Sequence, residues 1–288
     1  MPLNRDKLIL LPLGIIAAIF LSSSSEAQIE LSLRVEPGKA LLHESIIAHV
    51  DISNNSSQAI EIGGKQANAN LGFSIRDMKG NYIENRPDRK PLTETTVIEP
   101  FKMKTVAVDV VSCYRLLEAL PYKIVCNLEW RGGVYSSNQT YFDIVPGIEI
   151  TSKTVAVPGD KDIVRRFSLL YMHRDSKSHI FLKIENIDET ICYGVYDLGD
   201  YIRIQSAQMQ IDGRGLIHIL YQSGPRRFSY YLLDAHGKSK KKKFFSGTAG
   251  KISLLRTNLG EVLVDGGEEY KGDVYTAPYE FRRNRVFE

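Results

Sequence analysis

The chain is poor in cysteine: three in 288 residues, too few to build a disulfide scaffold. Cys113, Cys126 and Cys192 contain no C-x-x-C spacing, which removes the redox dithiol and the structural zinc knuckle. The six histidines (His43, His49, His173, His179, His218 and His236) form no H-E-x-x-H and no paired metal spacing. G-x-S-x-G, P-loop and G-x-G-x-x-G are all missing, so serine-hydrolase, nucleotide-phosphate and dinucleotide readings have no motif. Charge of one sign is scarce too. Lys and Arg number 37 against 34 Asp and Glu, and the net +3 is too small to imply nucleic acid. No metal, no cofactor and no nucleic-acid partner is expected. Nothing in the second half reads as a helix of three turns.

What is present begins at the N-terminus. Arg5 and Lys7 precede the apolar run LILLPLGIIAAIFL at residues 8–21. SSSSEA follows, with Ser25 and Ala27 in the small-residue spacing of a signal-peptidase site. Residues 1–27 are therefore expected to be an export signal, cut after Ala27. The alternative, an uncleaved anchor, is disfavoured because the run has about 14 residues where a span needs roughly 20. The protein is expected to be exported, to the periplasm or outside the cell. Export permits a disulfide. Cys126 lies in a strand pattern and Cys113 just before the short connection leading to it. A Cys113–Cys126 bond is the expected pairing, with buried free thiols as the alternative and Cys192 as a core thiol.

Residues 28–149 alternate apolar and polar side chains in short runs. IELSLRV, SIIAHVDIS, AIEI, FSIRD, NYIE, TTVIEP, KTVAVDVV, YKIVCNLEW and QTYFDIV are separated by Gly, Pro and Asn. Period two gives each sheet one apolar face, and two such faces close into a sandwich. Met78-Lys79-Gly80 reads as a hairpin turn, Trp130-Arg131-Gly132-Gly133-Val134 as a tight turn, and CYRLLEALP as a single-turn crossing between sheets. NRPDRKPLTETT is a charged loop with Pro87 and Pro91, either solvated or in contact with a partner.

The order of a D-x-x-G hairpin (Asp77 to Gly80), Ile98-Glu99-Pro100 and VDVVSCYRLLEALPYKIVCNLEW is similar to exported immunoglobulin-like sandwich modules. These include the macroglobulin-type domains of bacterial surface proteins. Tyr114 with Leu116, then Tyr122 with Ile124, fit their Tyr-x-Leu turn and Tyr-x-Val strand. Pro121 stands where a Pro-Gly pair is usual. The resemblance implies an immunoglobulin-like β-sandwich acting as a spacer or a binding surface.

PGIEITSKTVAVPGDK joins the halves, and residues 150–288 are expected to be a second antiparallel β domain. Its runs are longer and more aromatic: RRFSLLYM, HIFLKIENI, TICYGVY, YIRIQSAQMQI, LIHILYQS, RRFSYYLLD, KKFFS, KISLLRT and EVLVD. Ile211-Asp212, Gly215, His218 and Tyr221 match the I-D-x-x-G-x-I-H-x-x-Y run of exported β-propeller blades, and the segment resembles one blade. A blade takes roughly 40–50 residues and a ring at least four blades, so the length falls short. A compact barrel or sandwich is expected, with partial propeller-like sheets pairing another chain as the alternative.

Candidate sites are few. His218 lies within a strand, with Gln222 on its side and Tyr221 on the opposite face. Tyr230 and Tyr231 are adjacent, so they cannot share one surface without a bulge. Asp212-Gly213-Arg214-Gly215 reads as a hairpin turn rather than a calcium loop. Asp197, Asp200, Asp212 and Asp234 are the carboxylates that folding would have to pair for glycoside chemistry. The strongest charge feature is Lys238 with Lys240, Lys241, Lys242 and Lys243, followed by Phe244 and Phe245. It suits anionic lipid or acidic glycan, and Arg282, Arg283 and Arg285 would extend it. The alternative is a hairpin tip whose lysines block edge pairing. The binding set is Lys238, Lys240, Lys241, Lys242, Lys243, Phe244, Phe245, His218 and Tyr221. The chain thus reads as a non-catalytic binding or structural module of the cell envelope, whose partner is anionic lipid, acidic glycan or another envelope protein. The rival reading is an envelope hydrolase acting on glycan or another extracellular polymer, and catalysis stays open.

Overall fold

A computed structural model describes residues 28–157 and 160–270. The expected signal at residues 1–27 and the arginines 282, 283 and 285 lie outside the described residues. Strand makes up 60% of the structure and helix 2%, which makes the chain all-β.

The first half contains β1 (Ile29–Glu36), β2 (Lys39–Leu41), β3 (Ile47–Asn54), β4 (Ile60–Ile62), β5 (Ala69–Asp77), β6 (Thr96–Ile98) and β7 (Lys102–Asp109). One helical turn, α1 (Val110–Cys113), leads to β8 (Pro121–Trp130), β9 (Gly133–Ser136) and β10 (Thr140–Val145). Strands β1, β3 and β7 form one sheet; β2-β10-β8-β5-β4-β6, with β9 on β8, form the other. The period-two pattern does the sorting. Every second residue of β3 is buried, and Ala48, Val50 and Ile52 meet Ile75, Ile124 and Leu128 of the opposite sheet in one core. Each fully buried Ile contributes roughly 1.5–3 kcal/mol. Asn138 clasps the two sheets by bonding both Leu33 N (2.8 Å) and Leu33 O (3.0 Å).

Two local expectations change. The helical turn is VVSC rather than the CYRLLEALP crossing, because Asp109 caps it by accepting from Val111 N while Val110 and Val111 stay in the core. NYIE forms no strand and contributes a single bridge, Arg76 to Tyr82. The expected Cys113–Cys126 bond is absent, for all three cysteines are free. Cys126 points from β8 into the sandwich core, whereas Cys113 closes α1 with its Sγ 3.4 Å from Ser112 Oγ. Burial pushes the Cys126 thiol up to about 12 and the Cys192 thiol up to about 11.

The second half opens with the meander β11 (Ile148–Val157), β12 (Asp160–Arg174), β13 (Lys177–Asn186) and β14 (Cys192–Asp200). Then come β15 (Gln208–Ile211), β16 (Ile217–Gly224), β17 (Arg227–Leu233), β18 (Ser239–Ser246), the hairpin β19 (Ser253–Arg256) and β20 (Val262–Asp265), and β21 (Glu268–Glu269). Strands β15, β16, β17, β18 and β21 make one five-stranded sheet, and one sheet of the molecule curls into a half barrel. The centre of the five-stranded sheet, β16 and β17, is covered on both faces, which is why β16 is buried almost without interruption. Ile219, Tyr221 and Tyr231 pack toward β11–β14, while Leu220, Phe228, Tyr230 and Phe245 pack under the β19–β20 hairpin. The joining segment PGIEITSKTVAVPGDK supplies β11, which pairs along β12.

Leu41 connects the halves by packing on Leu170, Met172, Phe181 and Val195. Beside it Arg174 Nη1 donates to Glu44 Oε1 (2.7 Å), and Nη2 donates to Asp197. Glu44 also accepts from Leu41 N (2.8 Å), and His179 Nδ1 lies 3.2 Å from Asp197.

Candidate functional site

The lysine run lies along a strand, not at a hairpin tip. The tip is the turn that Asp234 builds. Gly237 N donates to Asp234 O (2.9 Å), and Asp234 Oδ1 accepts from His236 N (3.0 Å) and Lys238 N (2.9 Å). Lys238 therefore leaves the turn, and Lys240, Lys241, Lys242 and Lys243 follow on β18. That strand pairs with β17 along its length and with β21 at Phe245 and Ser246, and among the described residues no strand pairs with the outer edge of residues 239–243.

Register sorts the lysines. Lys243 faces Tyr230 and Lys241 faces Leu232, while Lys242 faces Tyr231 on the opposite side. Lys240 pairs with Asp234 at 3.2 Å, and Lys243 with Glu269. Lys238, Lys241 and Lys242 meet no carboxylate among the described residues. The Lys242 ammonium stands 5.0 Å from the Tyr231 ring and 5.4 Å from the Phe244 ring, and the Arg227 guanidinium lies 5.8 Å from Phe244 on its other side. Phe244 is half-buried between these two cations.

Three members of the expected binding set are interior. Phe245 packs edge-on against Tyr230 at 6.1 Å. Tyr221 is 2% exposed, and its hydroxyl donates to Leu198 O. Burial raises the Tyr221 phenol well above its ordinary value. His218 is 5% exposed. All three lie where the sheet is covered, whereas β18 keeps residues 240–242 exposed.

His218 nonetheless sits in a hydrogen-bonded chain. Tyr230 OH lies 2.8 Å from its Nδ1, and its Nε2 lies 3.4 Å from Asp212 Oδ2. The tautomer that satisfies both carries the proton on Nε2, accepting from Tyr230 and donating to Asp212. Asp212 Oδ1 accepts from Arg214 N and Leu216 N, both at 2.8 Å. Burial pushes the His218 imidazole down, and Asp212 only partly opposes it. Burial pushes the Asp212 carboxyl up, but the turn amides and His218 outweigh it and hold it below the usual carboxylate range. Burial also pushes the Tyr230 phenol up to about 12. The roof over the chain is pinned by three glutamines. Gln205 bonds Ile252 O and Gly250 N, Gln208 bonds Leu254 N, and Gln210 bonds Leu254 O, each at 2.7 or 2.8 Å. With its polar atoms mutually satisfied under this cover, the Asp212–His218–Tyr230 chain orders the Asp212 turn, and its three side chains are largely buried.

Of the four carboxylates singled out in the sequence, Asp212 and Asp234 stand apart, whereas Asp197 and Asp200 flank His179 at 3.2 and 3.8 Å. Asp212 belongs to His218 and Asp234 to Lys240, while Asp197 binds Arg174 and Asp200 lies 3.1 Å from Lys177. The sequence reading missed Tyr230 as the partner of His218, and it missed the glutamine clamp. The pattern Gln205-x-x-Gln208-x-Gln210, polar in an otherwise apolar region, was the signal for the clamp.

No family model matches the chain, and no curated protein matches it. Among solved structures, the sporulation control protein Spo0M from Bacillus subtilis is similar over 55% of this chain and 79% of that chain, with 10% identity and a TM-score of 0.25. A likeness of that size carries no argument about function.

Proposed function

We propose that the chain is an exported, non-catalytic binding module of the cell envelope that lies against anionic lipid through β18. In this reading residues 1–27 are removed on export and the first half is an immunoglobulin-like sandwich serving as a spacer. One observation supports the lipid reading above the rest: Phe244 sits half-buried beside Lys242 and Arg227, next to a sheet edge that no other described strand covers. Cations flanking an apolar ring suit the boundary between headgroups and acyl chains, where each nearby Lys or Arg contributes about 1 kcal/mol. Because Lys241 and Lys242 project from opposite faces of β18, the strand approaches the lipid edge-on, and Lys238, Lys241 and Lys242 together then supply roughly 3 kcal/mol, about two decades in affinity.

The test is sedimentation with phosphatidylcholine vesicles with and without phosphatidylglycerol, at low and moderate salt. Changing Lys238, Lys241 and Lys242 to Ser should abolish the phosphatidylglycerol-dependent fraction, and salt should weaken it in the parent. Equal binding by parent and variant rejects the reading. Binding of a soluble acidic polymer to β18 in preference to vesicles reassigns the strand to glycan.

A further inference from the structure

We propose a second binding site, in the first half of the chain, for an acidic oligosaccharide. It is independent of the β18 reading and uses the charged loop that the function above leaves unexplained. Residues 87–92 border, at the end of the β5–β8 sheet, an open groove of about 930 Å³. Both ends of this segment are fixed. At one end Asn85 bridges Tyr114, with Arg86 N donating to Cys113 O (2.7 Å) and Arg115 N to Glu84 O (2.9 Å). At the other, Gly63 and Gly64 take φ of +73° and +67° and let the chain pass so closely that a Cβ on Gly63 would lie 2.4 Å from Glu94 O. Pro87 and Pro91 stiffen the span between the ends.

The rim determines the ligand's charge. Lys65, Arg89, Lys90 and Arg131 line the groove and are exposed, against one lining carboxylate, Glu129. Arg89 has Asp88 3.6 Å away, and Glu129 accepts from Asn70 Nδ2 at 3.4 Å. Arg131 occupies the β8–β9 turn at φ 52°, with its guanidinium 5.5 Å from the Trp130 ring.

The walls determine the rest. The aromatic rings there, Trp130 and Tyr114, are 3% and 6% exposed, so no face is open for a nucleobase to stack on. The side chains of Asn70 and Asn85 and the backbone of Gly132 and Gly133 supply donors and acceptors suited to hydroxyl groups. The volume lies at the upper end for small-molecule sites, room for several sugar units. Anionic, hydroxyl-rich and non-aromatic together describe a uronate-type oligosaccharide.

Isothermal titration of the full chain with an oligogalacturonate, with a neutral cello-oligosaccharide of equal length and with a polyglutamate peptide tests this. The uronate should bind at least about tenfold more tightly than either of the others, and Arg131→Asn and Lys65→Ser should each weaken it about tenfold. Asn tolerates the left-handed backbone at that turn, and both positions are exposed, so neither change threatens the fold. The Lys238, Lys241 and Lys242 triple variant should bind as the parent does, which separates this site from β18. Neutral sugar or polyglutamate binding as tightly as the uronate overturns the proposal, as does an unchanged affinity in both groove variants.

Discussion

Replacing Arg174 by Met should loosen the junction between the two halves. The guanidinium joins Glu44 and Asp197, the Arg174 side chain is 9% exposed, and its partners are 10% and 22% exposed. Removing one member of a buried ion pair costs 3–5 kcal/mol because the other charge is stranded. Asp197 keeps some water and His179, and Met keeps most of the stem packing near Phe181, so the lower end applies, about 3 kcal/mol. In urea, with a slope of about 2–3 kcal/mol per molar, the midpoint should fall by roughly 1–1.5 M near neutral pH. The loss should depend on pH with a definite sign. Burial already raises the Glu44 carboxyl above its ordinary value, with Arg174 opposing it. The folded chain therefore holds this proton more tightly than the unfolded chain. The stability linked to it is complete below the ordinary value and is lost as pH rises through the raised one. Without Arg174 the carboxyl rises further, so the penalty should be largest near neutral pH and shrink toward the ordinary carboxylate range. Glu44→Gln in the same background removes the stranded charge and should recover about half of the loss. A midpoint within about 0.3 M of the parent, or an equal loss at neutral and acid pH, would refute the reasoning.

Tyr230→Phe removes the donor to His218 Nδ1 and leaves a buried acceptor without a partner, which should cost about 1–3 kcal/mol in thermal or urea unfolding. No measurable loss would mean that the Asp212–His218–Tyr230 chain is not held as described. Thiol titration in denaturant without reductant should count all three cysteines, whereas the folded chain reacts slowly because burial pushes Cys113, Cys126 and Cys192 upward. A count of one would restore the Cys113–Cys126 bond.

Much of the fold is legible because strands carry a local signal. IELSLRV and YKIVCNLEW alternate and become β1 and β8, and the Asp212 and Asp234 turns form where Gly215 and Gly237 permit them. What is illegible depends on register. Taken along its own strand, His218 has Tyr221 on the opposite face. Its partner Tyr230 comes from β17, placed near it only because Leu220 pairs with Tyr230 across the hairpin. Likewise five lysines look like one patch in sequence, yet pairing divides them between two faces and two of them meet Asp234 and Glu269. Glu44 and Arg174 lie far apart in sequence, and nothing local marks either for the other.

The single tryptophan has a practical consequence. Trp130 sits 3% exposed in the core of the first half, whereas the core between β11–β14 and the five-stranded sheet contains tyrosine and phenylalanine rings but no indole. Emission excited at the red edge of the absorption band thus reports on one half alone, and a midpoint read from it next to one read by circular dichroism shows whether the two halves melt together or in turn.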